Sequence, residues 1–104
     1  MSATYAIEGN TLSVRGRVDA ANAPELRAAL DTLLHMGQAT VAVDLSEATY
    51  LSSSALCCLL TAHRRQMADG RMLCLCSVPP RILRILRLGG FHRVINIVAD
   101  RPHV

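Results

Sequence analysis

Val41 to Gln66 reads VAVDLSEATYLSSSALCCLLTAHRRQ: a short apolar strand, a polar connection, three consecutive serines and a helical pattern. Val41-Ala42-Val43 is β-rich and does not alternate, as expected of a strand covered on both faces in an α/β sheet. Asp44-Leu45-Ser46 then leaves the sheet, and Leu51 returns to the core five residues later. Ser52-Ser53-Ser54 open a helix, serine being a preferred N-cap, with apolar residues at Leu56, Leu59, Leu60 and Met67.

At about 100° per residue, Leu56, Leu60, His63 and Met67 share one face of this helix, and Ser54, Cys57, Thr61 and Arg65 share the opposite one. The small polar face is the exposed one. It runs into the serines, where unpaired backbone N–H groups and the helix dipole favour negative charge, so a phosphate suits the helix start.

Elsewhere the chain supplies support for those serines. Thr4 to Ile7 and Leu12 to Arg17 read as strands joined by a tight turn at Gly9-Asn10, an antiparallel hairpin. Asn22-Ala23-Pro24-Glu25 combines an N-cap, a first-turn proline and a glutamate. Leu26, Leu30, Leu33 and Leu34 form the apolar face of the helix that follows, and Gly37 stops it. After the serine helix come a turn at Asp69-Gly70, a buried strand from Met72 to Cys76, and a third helix from Arg81 to Leu88 ended by Gly89-Gly90. A last strand covers Val94 to Val98, and Asp100 to Val104 reads as a frayed tail. The fold class is therefore α/β. The expected architecture is a mixed sheet in the order β-β-α-β-α-β-α-β, an antiparallel hairpin followed by parallel pairings with flanking helices.

The ordered combination of a strand ending in Asp44-Leu45-Ser46, a short connection and Ser52-Ser53-Ser54-Ala55-Leu56 at a helix start resembles the signature of the STAS domain. That family comprises anti-sigma factor antagonists and related modules of sulfate and lipid transporters. Gly16-Arg17-Val18-Asp19 before the first helix is similar to a further family segment, so the resemblance spans nearly the whole chain. It places the family's phosphorylated serine on Ser53, with Ser52 at the family's acidic position and Ala55 at its glycine. The activity it implies is that of an anti-sigma factor antagonist. Such a domain binds an anti-sigma factor with serine kinase activity, frees the sigma factor, and lets go once Ser53 is phosphorylated; a phosphoserine phosphatase is the implied resetting partner. On that reading Ser52, Ser53, Ser54, Cys57, Thr61 and Arg65 form the partner-binding face. The alternative is a STAS subunit of an ABC-type lipid transporter that binds and regulates its ATPase subunit, with Ser53 as a constitutive contact.

Composition narrows the remaining classes. The 104 residues are read as one domain, 1–104, with 51% apolar residues, enough to bury roughly 60–70% of the unfolded surface without staples. No apolar run approaches the roughly 20 residues of a spanning helix. Met1 to Asn10 lacks the basic start and apolar block of a signal peptide, so the expectation is a cytoplasmic protein without direct membrane insertion. The net charge of +3 comes from 11 arginines against 8 carboxylates, and Tyr5, Tyr50 and Phe91 are the only aromatics. That is neither the clustered basic stripe nor the stacking platform of a nucleic-acid binder. Arg81, Arg84 and Arg87 do form a stripe on the third helix, which reads first as a solvated face; with Ile85 and Leu88 nearer the arginines than the core, the alternative is a mixed surface for a second partner contact.

Cys57, Cys58, Cys74 and Cys76 include no C-x-x-C and have the wrong spacing for zinc. Cys74 and Cys76 point to one face of their strand and read as small buried hydrophobes, whereas Cys57 lies on the exposed helix face near an N-terminus that can activate a thiol. No G-x-S-x-G, P-loop or glycine-rich phosphate cradle occurs. His35, His63, His92 and His103 lack patterned companions, and His63 on the apolar face reads as a hydrogen-bonded core histidine. The expectation is a binding module with no cofactor, no metal and no catalytic residue.

Overall fold

A computed structural model describes residues 3–99. Five strands, β1 (Thr4–Glu8), β2 (Thr11–Val18), β3 (Thr40–Leu51), β4 (Met72–Cys76) and β5 (Asn96–Val98), form one sheet in that spatial order. β1 and β2 are antiparallel, and every later neighbour pair is parallel. The three helices are α1 (Ala23–His35), α2 (Ser53–Ala68) and α3 (Pro80–Leu88). Both the mixed sheet and the order of elements match the expectation.

Registry sorts the sheet into two faces. Leu12, Val43, Leu75 and Ile97 lie in one row; on this face the strands meet Leu26, Leu30 and Leu33 of α1, Leu59 of α2, and Ile82 and Leu86 of α3 in a single core. Thr11, Ala42, Cys74 and Asn96 lie in the next row on the opposite face. There Ala42, Cys74 and Cys76 form a separate small cluster, so these two thiols are structural, as their spacing predicts.

β3 corrects the sequence reading. Asp44-Leu45-Ser46 does not leave the sheet: the strand runs on to Leu51. The span from Asp44 to Glu47 pairs with the shorter span Ser13 to Arg15, and Ala48 to Tyr50 with Gly16 to Arg17. β3 thus holds one extra residue at each of two bulges, which bend a strand without ending its ladder. Polar residues that look like a loop are exposed positions of a bulged strand. Gly16, at φ +93° between the irregularities, takes the left-handed backbone this bending needs.

Three smaller differences have local causes. Asn22 sits at the cap position of α1 without capping it: its Oδ1 accepts from the Asp19 amide at 2.8 Å, and its Nδ2 donates to the Arg17 carbonyl at 3.0 Å. The side chain is used to tie β2 to the helix. α3 begins one residue early at Pro80, whose missing N–H is no loss in a first turn. β5 is shorter than Val94–Val98 because Phe91–Arg93 form a 3₁₀ turn and Val94 keeps a right-handed conformation, 50% exposed. The tail from Asp100 to Val104 lies outside the described residues.

Candidate functional site

β3 delivers the chain to the serines. The Ser52 amide donates to the Val18 carbonyl at 2.9 Å, extending the ladder one residue past Leu51. Beside it the Arg17 guanidinium lies 4.2 Å from the centroid of the Tyr50 ring, pinning the ends of β2 and β3 together. Ser52 has extended backbone, and its Oγ accepts from the Ala55 amide at 3.2 Å, so it is the N-cap of α2. Ser53 and Ser54 follow as the first two helical residues, both exposed.

The three serines therefore divide their roles. Ser52 spends its hydroxyl on the helix, while Ser53 presents an exposed hydroxyl at the positive end of a 16-residue α-helix. The first turn of α2 contains no acidic residue, so nothing within it offsets that end of the dipole. Ala55 is fully buried, its methyl group set in the core directly behind the serines.

The buried stripe of α2 runs through Ala55, Leu59, Ala62 and Gln66, flanked by Leu56 and His63. Leu60 is only half-buried and Met67 is 61% exposed. The predicted apolar face is thus rotated by one residue. Gln66 takes the interior position because its Nε2 donates to the Met72 carbonyl at 2.9 Å, a partner Met67 could not satisfy. His63 is a core residue as expected; among the described residues its buried Nδ1 has no hydrogen-bond partner.

The outward face carries Ser53, Ser54, Cys57, Thr61 and Arg65, all exposed and continuous with half-buried Ser52. The structure brings the six sequence-predicted site residues together along one helix. Arg64, not singled out from the sequence, is also exposed on this helix, whereas Arg65 leans toward α1 and pairs with Asp31. Between the helices is an open groove of about 290 Å³, lined by Arg27 and Asp31 of α1 and by Cys57, Cys58, Thr61 and Arg65 of α2, among others. The α1 contribution has no signal in sequence, because helical periodicity shows which residues face outward but not which helix lies alongside.

At the groove floor, half-buried Cys58 directs its Sγ toward the Ala23 carbonyl at 3.8 Å. Burial raises its thiol pKa above the ordinary 9.0, against the lowering effect of Arg27. Among the described residues no three histidine, cysteine or carboxylate side chains cluster as a metal site would require. No described helix is long and apolar enough to cross a membrane.

Residues 3–99 match the family model described as "Mlab, STAS domain". The chain belongs to the STAS family. BtrV of Bordetella bronchiseptica, named as an anti-sigma factor antagonist, is 29% identical over 89 residues, which cover 85% of this STAS chain and 76% of BtrV. Among solved structures, an anti-sigma factor antagonist from Mycobacterium paratuberculosis superposes with a TM-score of 0.77 at 19% identity, covering 92% of this chain and 83% of that one. The Bacillus cell fate determinant SpoIIAA in its phosphorylated form gives 0.66 at 16% identity, covering 95% of this chain and 93% of its own. These two similarities establish the shared fold.

Proposed function

We propose that this STAS domain is an anti-sigma factor antagonist, binding an anti-sigma factor through the start and outward face of α2 and released when that partner's serine kinase activity phosphorylates Ser53. The observation that carries the reading is the division of labour among the serines: Ser52 holds the cap, leaving the exposed Ser53 hydroxyl available at the helix start. The names of BtrV and the Mycobacterium protein support it, as does the existence of SpoIIAA in phosphorylated form. Ser54, Cys57, Thr61 and Arg65 extend the contact. A phosphoserine phosphatase resets the switch.

Phosphate would add roughly 1.5 to 2 negative charges and three acceptor oxygens. The uncompensated helix terminus tolerates that charge, so the domain stays folded while like charge and desolvation act against the bound partner. The test uses unchanged protein and Ser53→Asp as parallel baits in cell lysate, followed by incubation of the recovered partner with ATP and intact-mass analysis. Recovery of a kinase-type anti-sigma factor by the unchanged bait alone, with one phosphoryl group added and lost in Ser53→Ala, is the expected result. Equal retention by both baits would defeat the switch.

A second reading is favoured by Ser52 and Ala55. With a neutral cap at the family's acidic position and a buried methyl group at its glycine, the serine loop suits a constitutive contact, as in a transporter STAS subunit bound to its ATPase. Recovery of an ABC-type ATPase by both baits identifies that branch.

A further inference from the structure

Between residues 70 and 99 the chain has five arginines and no carboxylate, whereas residues 3–69 have five arginines and seven carboxylates. The domain is thus electrically lopsided. α3 concentrates the basic end: Ile82 and Leu86 are fully buried in the core, which turns Arg87, Arg84, Leu88 and Arg81 outward as one contiguous arc at about 100° per residue. Arg84 stands opposite the core, and Leu88 beside it is 83% exposed. The 3₁₀ turn that packs on α3 adds exposed Arg93, followed by Val94 at 50% exposure.

Among the described residues none of these four arginines has a carboxylate partner; the ion pairs there include Arg15–Glu47, Arg65–Asp31 and Arg71–Asp69. Glu47 shares a groove with Arg81, but its Oε2 is already engaged by Arg15 at 2.7 Å. An exposed leucine among unpaired arginines combines electrostatic attraction with a small apolar anchor. We propose that the α3 face docks on an anionic lipid surface, lying on the headgroups with Leu88 directed inward. Each arginine near such a surface contributes to attraction, and a helix lying in the interface buries only its outer residues. A nucleic acid fits the face less well, because Phe91 in the adjoining 3₁₀ turn is partly buried against the core and not presented for stacking. A protein hot spot needs an aromatic or aliphatic cluster at its centre, and one leucine ringed by charge is not that.

The experiment is co-sedimentation with vesicles of phosphatidylcholine alone or mixed with phosphatidylglycerol, at low and high salt, in the presence and absence of polyglutamate. Unchanged protein is expected on the mixed vesicles only, and to leave them as salt rises. Arg84→Gln combined with Arg87→Gln weakens that binding on the order of tenfold or more, and Leu88→Ser weakens it roughly fivefold. All three positions are exposed, so circular dichroism of the variants should match the unchanged chain. No retention on mixed vesicles at low salt overturns the proposal. So does retention indifferent to Leu88→Ser and abolished by polyglutamate, which would make the face a reader of acidic polypeptide. Ser53→Asp leaves vesicle binding unchanged, so this inference stands or falls apart from the antagonist reading.

Discussion

At Ser52 a single hydroxyl decides where α2 begins. Ser52→Ala should cost about 1 kcal/mol of stability, read as a shift of the urea midpoint, because the Ala55 amide loses its acceptor. Tyr5 makes the opposite case. Its hydroxyl is buried without a hydrogen-bond partner among the described residues, so Tyr5→Phe should be neutral to stabilising by on the order of 1 kcal/mol. Burial first, then Glu25, Cys58 and Asp19, raise the Tyr5 pKa above 10.0, and burial raises those of Cys58 and Cys74 above 9.0. Above those ordinary values the unfolded chain gives up its protons before the folded one does. Stability therefore falls as pH rises past about 9 and again past about 10. Urea midpoints followed upward from neutral pH should show both declines, and Tyr5→Phe should remove the second. The serine cap could be read from residue type alone. The unpaired Tyr5 hydroxyl could not, since it depends on what the hairpin, α1 and α2 jointly exclude from water.

Among the elements, β3 shows most clearly where pattern reading stops. Val41-Ala42-Val43 announces a strand, but the ladder beyond it is held by bulges, and a bulge is a relation between two strands that neither sequence displays. Gly16 is the residue that makes the relation possible. Gly16→Ala should cost roughly 1–2 kcal/mol at its φ of +93°, measured by thermal unfolding. In α2 the period was legible and its phase was not: Gln66 replaced Met67 inside because of a carbonyl on β4. The start of the same helix carries a prediction that separates stability from binding. Ser53→Asp should raise the stability of the isolated domain by about 0.3–1 kcal/mol through the helix dipole while weakening its hold on the partner proposed for this face. A lowered melting temperature would instead mean that lost binding reflects lost structure.

At the scale of the molecule, the order of elements along the chain, the antiparallel hairpin and the parallel pairings that follow it can be read from local patterns. What the sequence left open was adjacency: which face of α2 meets α1, and which side chains close the groove between them. The Arg65–Asp31 pair is the clearest instance, two residues far apart in the chain and both partly exposed. Solvent limits its strength, so Asp31→Ala should cost less than about 1 kcal/mol in a urea titration. The pair matters more as a fixture. Ser53 and Arg65 are twelve residues apart on one helix, about 18 Å at 1.5 Å per residue, with the cap fastening one end and α1 the other. Held this way, α2 is a ruler of fixed length, and any protein that reads both ends must match that span as well as the chemistry at each mark.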